Sequence, residues 1–445
     1  MSTSSTHNDK TIYQRPVELL QRLIQFDTTN PPGNEAECIH YINTLLTEAG
    51  FETVLLGPDP ARPSLVTRLK GRGDGRPLLL QGHIDVVPTG GQMWQHPPFA
   101  GKIADGFLWG RGTLDMKGGV AMMISALMRA KAEGTEFPGD TVLAILSDEE
   151  AGGINGAEYL VHHHAELFKD IHYALGEFGG FSTYIGGKKL YLIQVLEKQV
   201  CWMKATLRGP GGHASLPMRG GASAKLGRLL QQLDQKRLPV HITEIPRQML
   251  ETLSTTLPGP VGTQFKRMLD PTQTDSALDT LGIHQRLFEP ILRNMVNATV
   301  IRGGTKINVI PSEIVVEIDG RLLPGFSPDD MLSELHQMVG DEAEFEIVRY
   351  SPGFSQANMG MFDTLSTILR ETDPDCIPIP FLMPVVTDGR YFAQLGIQTY
   401  GFIPLDLPEN FNFLETVHAA DERVPPEAIE SGTQAISKAL QRNPA

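Results

Sequence analysis

The spacing of apolar positions divides the chain into two textures. From Pro16, the residues Val17, Leu19, Leu20, Leu23 and Ile24 fall largely on one helical face. The turn residues from Asp27 to Gly33 stop that helix. A second amphipathic helix runs through Ile39, Ile42, Leu45 and Leu46 to Gly50. Short apolar runs then alternate with helical segments, giving strands at 64–68, 78–81, 141–146 and 171–175 and helices at 117–132 and 157–163. This order predicts an α/β layered domain with a largely parallel sheet.

Near residue 186 the pattern changes. Strands are predicted at 190–195 and 200–207, then a helix at 222–233, then a mixed, partly helical stretch from about 240 to 300. Strands at 306–310 and 313–323, a helix at 328–339 and a strand at 344–350 complete a small α+β set. The layered texture returns with a helix from Met361, a strand at 398–403 and an amphipathic helix from Pro426. The expected organisation is one domain of residues 13–195 and 354–445, with a second domain, 196–353, inserted into it. The inserted domain carries the extra segment 240–300, and residues 1–12 read as a flexible, Ser/Thr-rich tail. No internal repeat stands out.

Composition narrows the function classes. Lys and Arg number 38 against 52 Asp and Glu, a formal net charge of −14, which argues against binding a nucleic-acid backbone. No basic cluster suits a membrane surface, and no run approaches the roughly 18 apolar residues of a spanning helix. The polar N-terminus lacks an apolar secretory core, so a soluble cytoplasmic protein is expected. Cys38, Cys201 and Cys376 lie far apart and form no CxxC pair, which speaks against a thiolate metal site or a disulfide framework. Thirteen histidines and many carboxylates leave a nitrogen/oxygen metal site open.

Five short motifs carry chemistry. Gly82-His83-Ile84-Asp85 follows a buried strand, and sites in open α/β sheets lie at such strand ends. There His83 is either a metal ligand, with Asp85 on its other ring nitrogen, or an exposed loop residue. Asp115, in Arg111-Gly112-Thr113-Leu114-Asp115-Met116-Lys117-Gly118-Gly119, is either a ligand or a helix N-cap. Asp148, Glu149 and Glu150 end another strand, and three successive carboxylates repel unless a cation compensates. Glu177 ends a further strand, and His418 sits in Thr416-Val417-His418-Ala419-Ala420-Asp421-Glu422-Arg423. Each admits a solvated surface reading alone.

Together, in this order, these spellings resemble the co-catalytic zinc hydrolases that include aminoacylase, acetylornithine deacetylase, succinyl-diaminopimelate desuccinylase and glutamate carboxypeptidase. The similarity spans about residues 13–440 and is greatest to the carboxypeptidase S-like branch. The resemblance implies a catalytic domain with a mostly parallel central sheet flanked by helices, plus an inserted α+β lid and dimerisation domain. It implies two Zn²⁺ per subunit, with Co²⁺ or Mn²⁺ able to substitute. Asp115 then bridges both ions, His83 and Glu177 complete one ligand set, and Glu150 and His418 complete the other. Glu149 becomes the general base and Asp85 the residue that orients His83.

The same resemblance assigns His213, in Gly211-Gly212-His213-Ala214-Ser215, to oxyanion stabilisation in the partner subunit of a homodimer. It also assigns Asn308 and Arg321 to substrate contact. A guanidinium suits bidentate binding of a carboxylate, although Arg321 also reads as a sheet ion pair, Asn308 as a turn residue and His213 as a loop residue. The implied activity is hydrolysis of an amide in an N-acyl amino acid or dipeptide-like substrate with a free carboxylate. A dinuclear aminopeptidase and a non-catalytic binding protein on the same scaffold are the alternatives. One departure is Met383-Pro384-Val385-Val386 before Thr387-Asp388, where relatives are often Gly-rich. The triplet His162-His163-His164 reads as the solvated end of a surface helix, and Trp94 as scaffold.

Overall fold

A computed structural model describes residues 11–282 and 285–443. The expected tail lies outside them except for Thr11 and Ile12, and Ile12–Gln14 forms a single 3-10 turn. The described residues divide into two compact units. One holds the chain up to Val195 with Asn358–Phe381 and the residues from Thr387 onward; the other holds Leu196–Ala357 with Leu382–Val386.

The first unit is built on a nine-stranded sheet. Its central strands, Thr141–Leu146, Leu78–His83, Tyr173–Gly176 and Gln398–Gly401, are neighbours in that order and run parallel. The flanking pairings are antiparallel, with Thr53–Leu56 on Ser64–Leu69 and Ser64–Leu69 on Thr141–Leu146. Strands covered on both faces need apolar side chains at successive positions, not alternate ones. Leu78, Leu79 and Leu80 are accordingly all buried, as are all of Thr141–Leu146. On one face Leu79, Val142, Ala144 and Ala174 pack with Leu160, Phe168 and Phe392. The helix Lys117–Glu133 packs on the strand Leu78–His83 and touches the helices Pro16–Ile24 and Pro426–Gln441. Parallel order matters for function because it gathers strand C-termini at one edge. His83 is in register with Leu146, and Leu80 with Leu175, so the loops that follow these strands emerge together.

The second unit is a four-stranded antiparallel sheet in the order Met295–Gly303, Glu313–Leu322, Gln199–Arg208, Glu344–Ser351. Alternate residues Ile314, Val316, Ile318 and Leu322 pack with Leu229, Met331 and Leu335 from the helices Ala222–Gln235 and Pro328–Val339. Ser327 closes a capping box with Asp330 at the start of the latter helix, an arrangement that contributes about 1 kcal/mol.

Two expectations need correction here. The stretch 240–300 contains the helices Glu244–Thr256, Gly259–Met268, Thr274–Leu278 and Gln285–Phe288, but Met295–Gly303 is an edge strand of the unit's own sheet. A bulge between Ala298 and Val300 breaks its alternation and hides the period of two. The strand expected at 306–310 shrinks to Val309–Ile310, which pairs with Gly212–His213. Val309 donates its N–H to Lys306 O at 3.1 Å, so the preceding residues turn instead of extending. Cys38, Cys201 and Cys376 are buried and unpaired. Among the described residues, no helix is long and apolar enough to cross a membrane.

Candidate active site

Three strand ends and two loops of the first unit deliver the expected cluster. His83 closes the strand Leu78–His83, Glu177 follows Tyr173–Gly176, and Glu149 and Glu150 lie in the turn after Thr141–Leu146. Asp115 precedes the helix Lys117–Glu133 without capping it, because Met116 occupies the cap position and no side-chain cap bond forms. The two oxygens of Asp115 face different imidazoles. Its Oδ1 lies 3.1 Å from His83 Nε2, and its Oδ2 lies 3.0 Å from His418 Nε2. His83 Nε2 is also 3.2 Å from Glu177 Oε2, and His418 Nε2 is 3.2 Å from Glu150 Oε1. The His418–Glu150 approach lacks hydrogen-bonding geometry, so the buried Glu150 Oε1 has no donor among the described residues.

Potential ligand atoms group in two sets that share His83. One is His83, Glu149 and Glu177; the other is His83, Asp115 and Glu150, with all atoms in each set within 4.8 Å of one another.

Electrostatics shows what this cluster lacks. Burial and the neighbouring carboxylates of Glu177, Asp388 and Glu150 hold the Glu149 carboxyl well above its usual range, with His83 opposing. Burial likewise pushes Glu177 to about 8 against the pull of His83. Burial disfavours a charged His418, but the Asp115 hydrogen bond and the attraction of the Asp115 and Glu150 carboxylates win and raise it to about 10. Carboxylates that resist ionisation together accept it once a cation sits among them. The orphaned Glu150 oxygen and the all-carboxylate and imidazole donor set therefore fit hard or borderline divalent metal.

A buried scaffold aims these groups. Asp85 is fully buried, and its carboxylate accepts the N–H groups of Glu149 at 3.1 Å and Glu150 at 3.0 Å. The ring nitrogen Nδ1 of His83 bonds the Asp85 carbonyl at 3.0 Å, while the Asp85 carboxylate lies farther off at 3.4 Å. The expected carboxylate-to-imidazole hydrogen bond is thus a carbonyl-to-imidazole one, because the carboxylate is engaged by the turn.

The spelling of these motifs runs beyond the cluster. The model of peptidase family M20/M25/M40 matches residues 79–442. The chain belongs to this family. It is a hydrolytic enzyme of the metallopeptidase and amidohydrolase type. It is 28% identical over 401 residues to a probable carboxypeptidase S-like 2 of Dictyostelium discoideum, covering 82% of this chain and 71% of that one. It is 26% identical over 431 residues to the succinyl-diaminopimelate desuccinylase of Hydrogenovibrio crunogenus, covering 95% and 97%. Its fold is similar to that of the M20 family metallo-carboxypeptidase Sso-CP2 of Sulfolobus solfataricus, with a TM-score of 0.68, 16% identity and coverage of 96% and 98%.

In this M20 peptidase His213, Asn308 and Arg321 lie in the second unit. His213 and Asn308 are brought together: His213 is in register with Val309, and Ala214 N–H bonds Asn308 O at 3.1 Å. Both are exposed. Ser215 N–H donates to His213 Nδ1 at 3.3 Å, which puts the proton of a neutral ring on Nε2. Arg321 takes the ion-pair arrangement, with Nε and Nη2 donating to Asp319 at 2.7 and 3.0 Å. Its Nη1 is buried and has no hydrogen-bond partner among the described residues. Trp94 lies under Arg111, 5.2 Å from ring centroid to guanidinium carbon.

Four supporting residues receive no role from motif reading in this M20 peptidase, although Arg111 and Glu422 stand inside two of the motifs. Glu422 is fully buried and accepts the N–H groups of Gly112 at 3.0 Å and Leu114 at 2.8 Å, shaping the loop that presents Asp115. Arg111 bonds Glu422 at 2.6 Å and the His418 carbonyl at 3.1 Å, joining the two loops. Asn30 bridges Asp85 and Asp148 at 2.8 and 3.2 Å. Arg62 pairs with Asp148 and Glu35, both at 2.7 Å. Buried charges require partners, so a lone buried Arg or Glu is the available signal, but nothing local names its partner.

Proposed function

We propose that this chain is a dinuclear metal amidohydrolase that cleaves the amide bond of an N-acyl amino acid or dipeptide-like substrate bearing a free carboxylate. The observation that carries this reading is the carboxylate of Asp115, whose two oxygens face His83 and His418 separately. That arrangement suits two ions, one held by His83, Asp115 and Glu177 and the other by Asp115, Glu150 and His418. Zn²⁺ is the ion proposed, two per chain, and when bound it supplies Lewis acidity and acidifies water.

The side chains do the rest. Glu149 stands beside His83 and Glu177 with its backbone pinned by Asp85, placed to take the proton of the attacking water and pass it to the leaving amine. His213 presents a donor Nε2 that suits a developing oxyanion. Arg321, whose Nη1 has no hydrogen-bond partner among the described residues, is proposed to bind the substrate carboxylate, and Asn308 is proposed as a further substrate contact. The named relatives, a carboxypeptidase S-like protein and a desuccinylase, support this substrate class. Hydrolysis of a panel of N-acyl amino acids and dipeptides, measured with and without Zn²⁺, tests it. No turnover of any free-carboxylate amide with metal present would overturn the reading.

Arg321→Ala is expected to raise KM for substrates with a free carboxylate, a loss of about 2–5 kcal/mol if the pair is buried. Amidated substrates should be poor for the parent enzyme and little changed by the substitution. Equal loss on both would make Arg321 purely structural, as its pairing with Asp319 allows.

A homodimer in which His213 serves the partner's site is the proposed assembly. The exposed apolar side chains Leu216, Met218, Ile307 and Val309, on and next to the His213 ribbon, support it. Mixing inactive Glu149→Gln with inactive His213→Ala chains should restore activity, because a mixed dimer has one site with both groups intact. Subunit exchange without any recovery would exclude action in trans.

A further inference from the structure

The turn that carries Glu149 and Glu150 is held at its far end by residues with no assigned role. Asp148, Gly152 and Gly153 adopt left-handed conformations with φ of 73°, 108° and 72°. The turn closes on itself through Gly152 N–H to Glu149 O at 2.8 Å and Gly153 N–H to Asp148 O at 2.6 Å. Asp85, Asn30 and Arg62 secure its entry. At its exit the Gly152 carbonyl accepts two donors, Arg390 Nη2 at 2.7 Å and Tyr391 Oη at 2.6 Å. Both lone pairs of that oxygen are then used.

Arg390 is 7% exposed and Tyr391 2% exposed, so both are fixed in place. The Arg390 guanidinium lies over the Tyr391 ring, 4.5 Å from its centroid, and Nη1 bonds the Thr387 carbonyl at 3.3 Å. The two segments also fit sterically. A Cβ on Gly153 would stand 2.3 Å from Asp388 Oδ1 and 2.9 Å from Tyr391 Cε2, so a larger residue would force the turn or these side chains to shift.

We propose that Arg390 and Tyr391 are positioning residues that clamp the Glu149–Glu150 turn through the Gly152 carbonyl. Without the clamp, a turn that holds Asp148 in an uncommon left-handed conformation and contains two conformationally free glycines, Gly152 and Gly153, would sample other conformations. A shift of about 1 Å in a catalytic carboxylate is enough to cost on the order of 100-fold in rate. The clamp rests on geometry alone; only its kinetic and metal consequences rest on the metallohydrolase reading.

The test uses the full chain and the variants Arg390→Ala, Arg390→Lys, Tyr391→Phe and the Arg390→Ala/Tyr391→Phe double variant. Tyr391→Phe removes one hydroxyl from a packed ring and keeps the fold intact. Backbone amide exchange of the metal-free chains should quicken across residues 148–155 by about tenfold or more, with the strands Leu78–His83 and Tyr173–Gly176 unchanged. Titration with Co²⁺ should show one ion weakened by about 10–100-fold, because Glu150 sits in the loosened turn. In metal-loaded enzyme kcat should fall with KM preserved, and guanidinium ion should restore part of it in Arg390→Ala. Parent-like exchange across 148–155 in the double variant would overturn the clamp. A loosened turn with unchanged Co²⁺ affinity and kcat would overturn the positioning role of the two residues. A parent chain that takes up no Co²⁺ would instead refute the metallohydrolase reading, with the exchange result still deciding the clamp.

Discussion

Glu149→Gln is expected to lower kcat by about 10³–10⁴-fold while the chain keeps its full metal complement. The amide matches the carboxylate in shape but cannot accept a proton. The backbone of Glu149 is pinned by Asp85, so the substitution should leave the turn in place. Its carboxylate lies within 4.8 Å of the ligand atoms of His83 and Glu177, close enough to serve water at the centre of the cluster. Glu150→Gln provides the contrast. Glu150 approaches His418 and owns the oxygen left without a donor, so its loss should show first as lost metal. Steady-state kinetics combined with elemental analysis of both variants distinguishes the two roles. Near-parental turnover in Glu149→Gln would remove it from the chemistry.

Asp115→Ala is expected to abolish activity and to release both ions, or to leave one weakly held. One carboxylate faces both imidazoles, through Oδ1 to His83 and through Oδ2 to His418. Removing it strips a ligand from each proposed set, and the remaining pairs, His83 with Glu177 and Glu150 with His418, offer two protein ligands each. Catalytic zinc sites ordinarily keep three. Elemental analysis after dialysis measures the outcome, and two tightly bound ions in Asp115→Ala would refute bridging. The fold should survive, because the loop is held independently by Glu422 on the N–H groups of Gly112 and Leu114.

Much of the fold was legible because it depends on local pattern. The runs Leu78-Leu79-Leu80 and Thr141–Leu146 become strands buried on both faces, and the periodicity from Pro16 becomes a helix with Leu19, Leu20, Leu23 and Ile24 buried. The pattern failed at Met295–Gly303, where a bulge shifts the phase of alternation, and at 306–308, where the chain turns. The bulge has no local cause that the residues announce, whereas Asn308, a turn former, marks the second.

The sequence by itself marked which residues are the candidates for the chemistry. His83, Asp115, Glu149, Glu150, Glu177 and His418 stand in motifs whose spelling and position after strands point to a metal cluster. Only the tertiary structure decided how they are aimed. Asp115 and His418 are 303 positions apart, and which oxygen meets which ring depends on the register of parallel strands and the path of two loops. The same holds for Glu422 under the Asp115 loop and for Arg390 and Tyr391 on Gly152. Hydrogen-bond partners that are remote along the chain are chosen by backbone geometry after folding. A sequence records the donor and the acceptor, but not the distance between them.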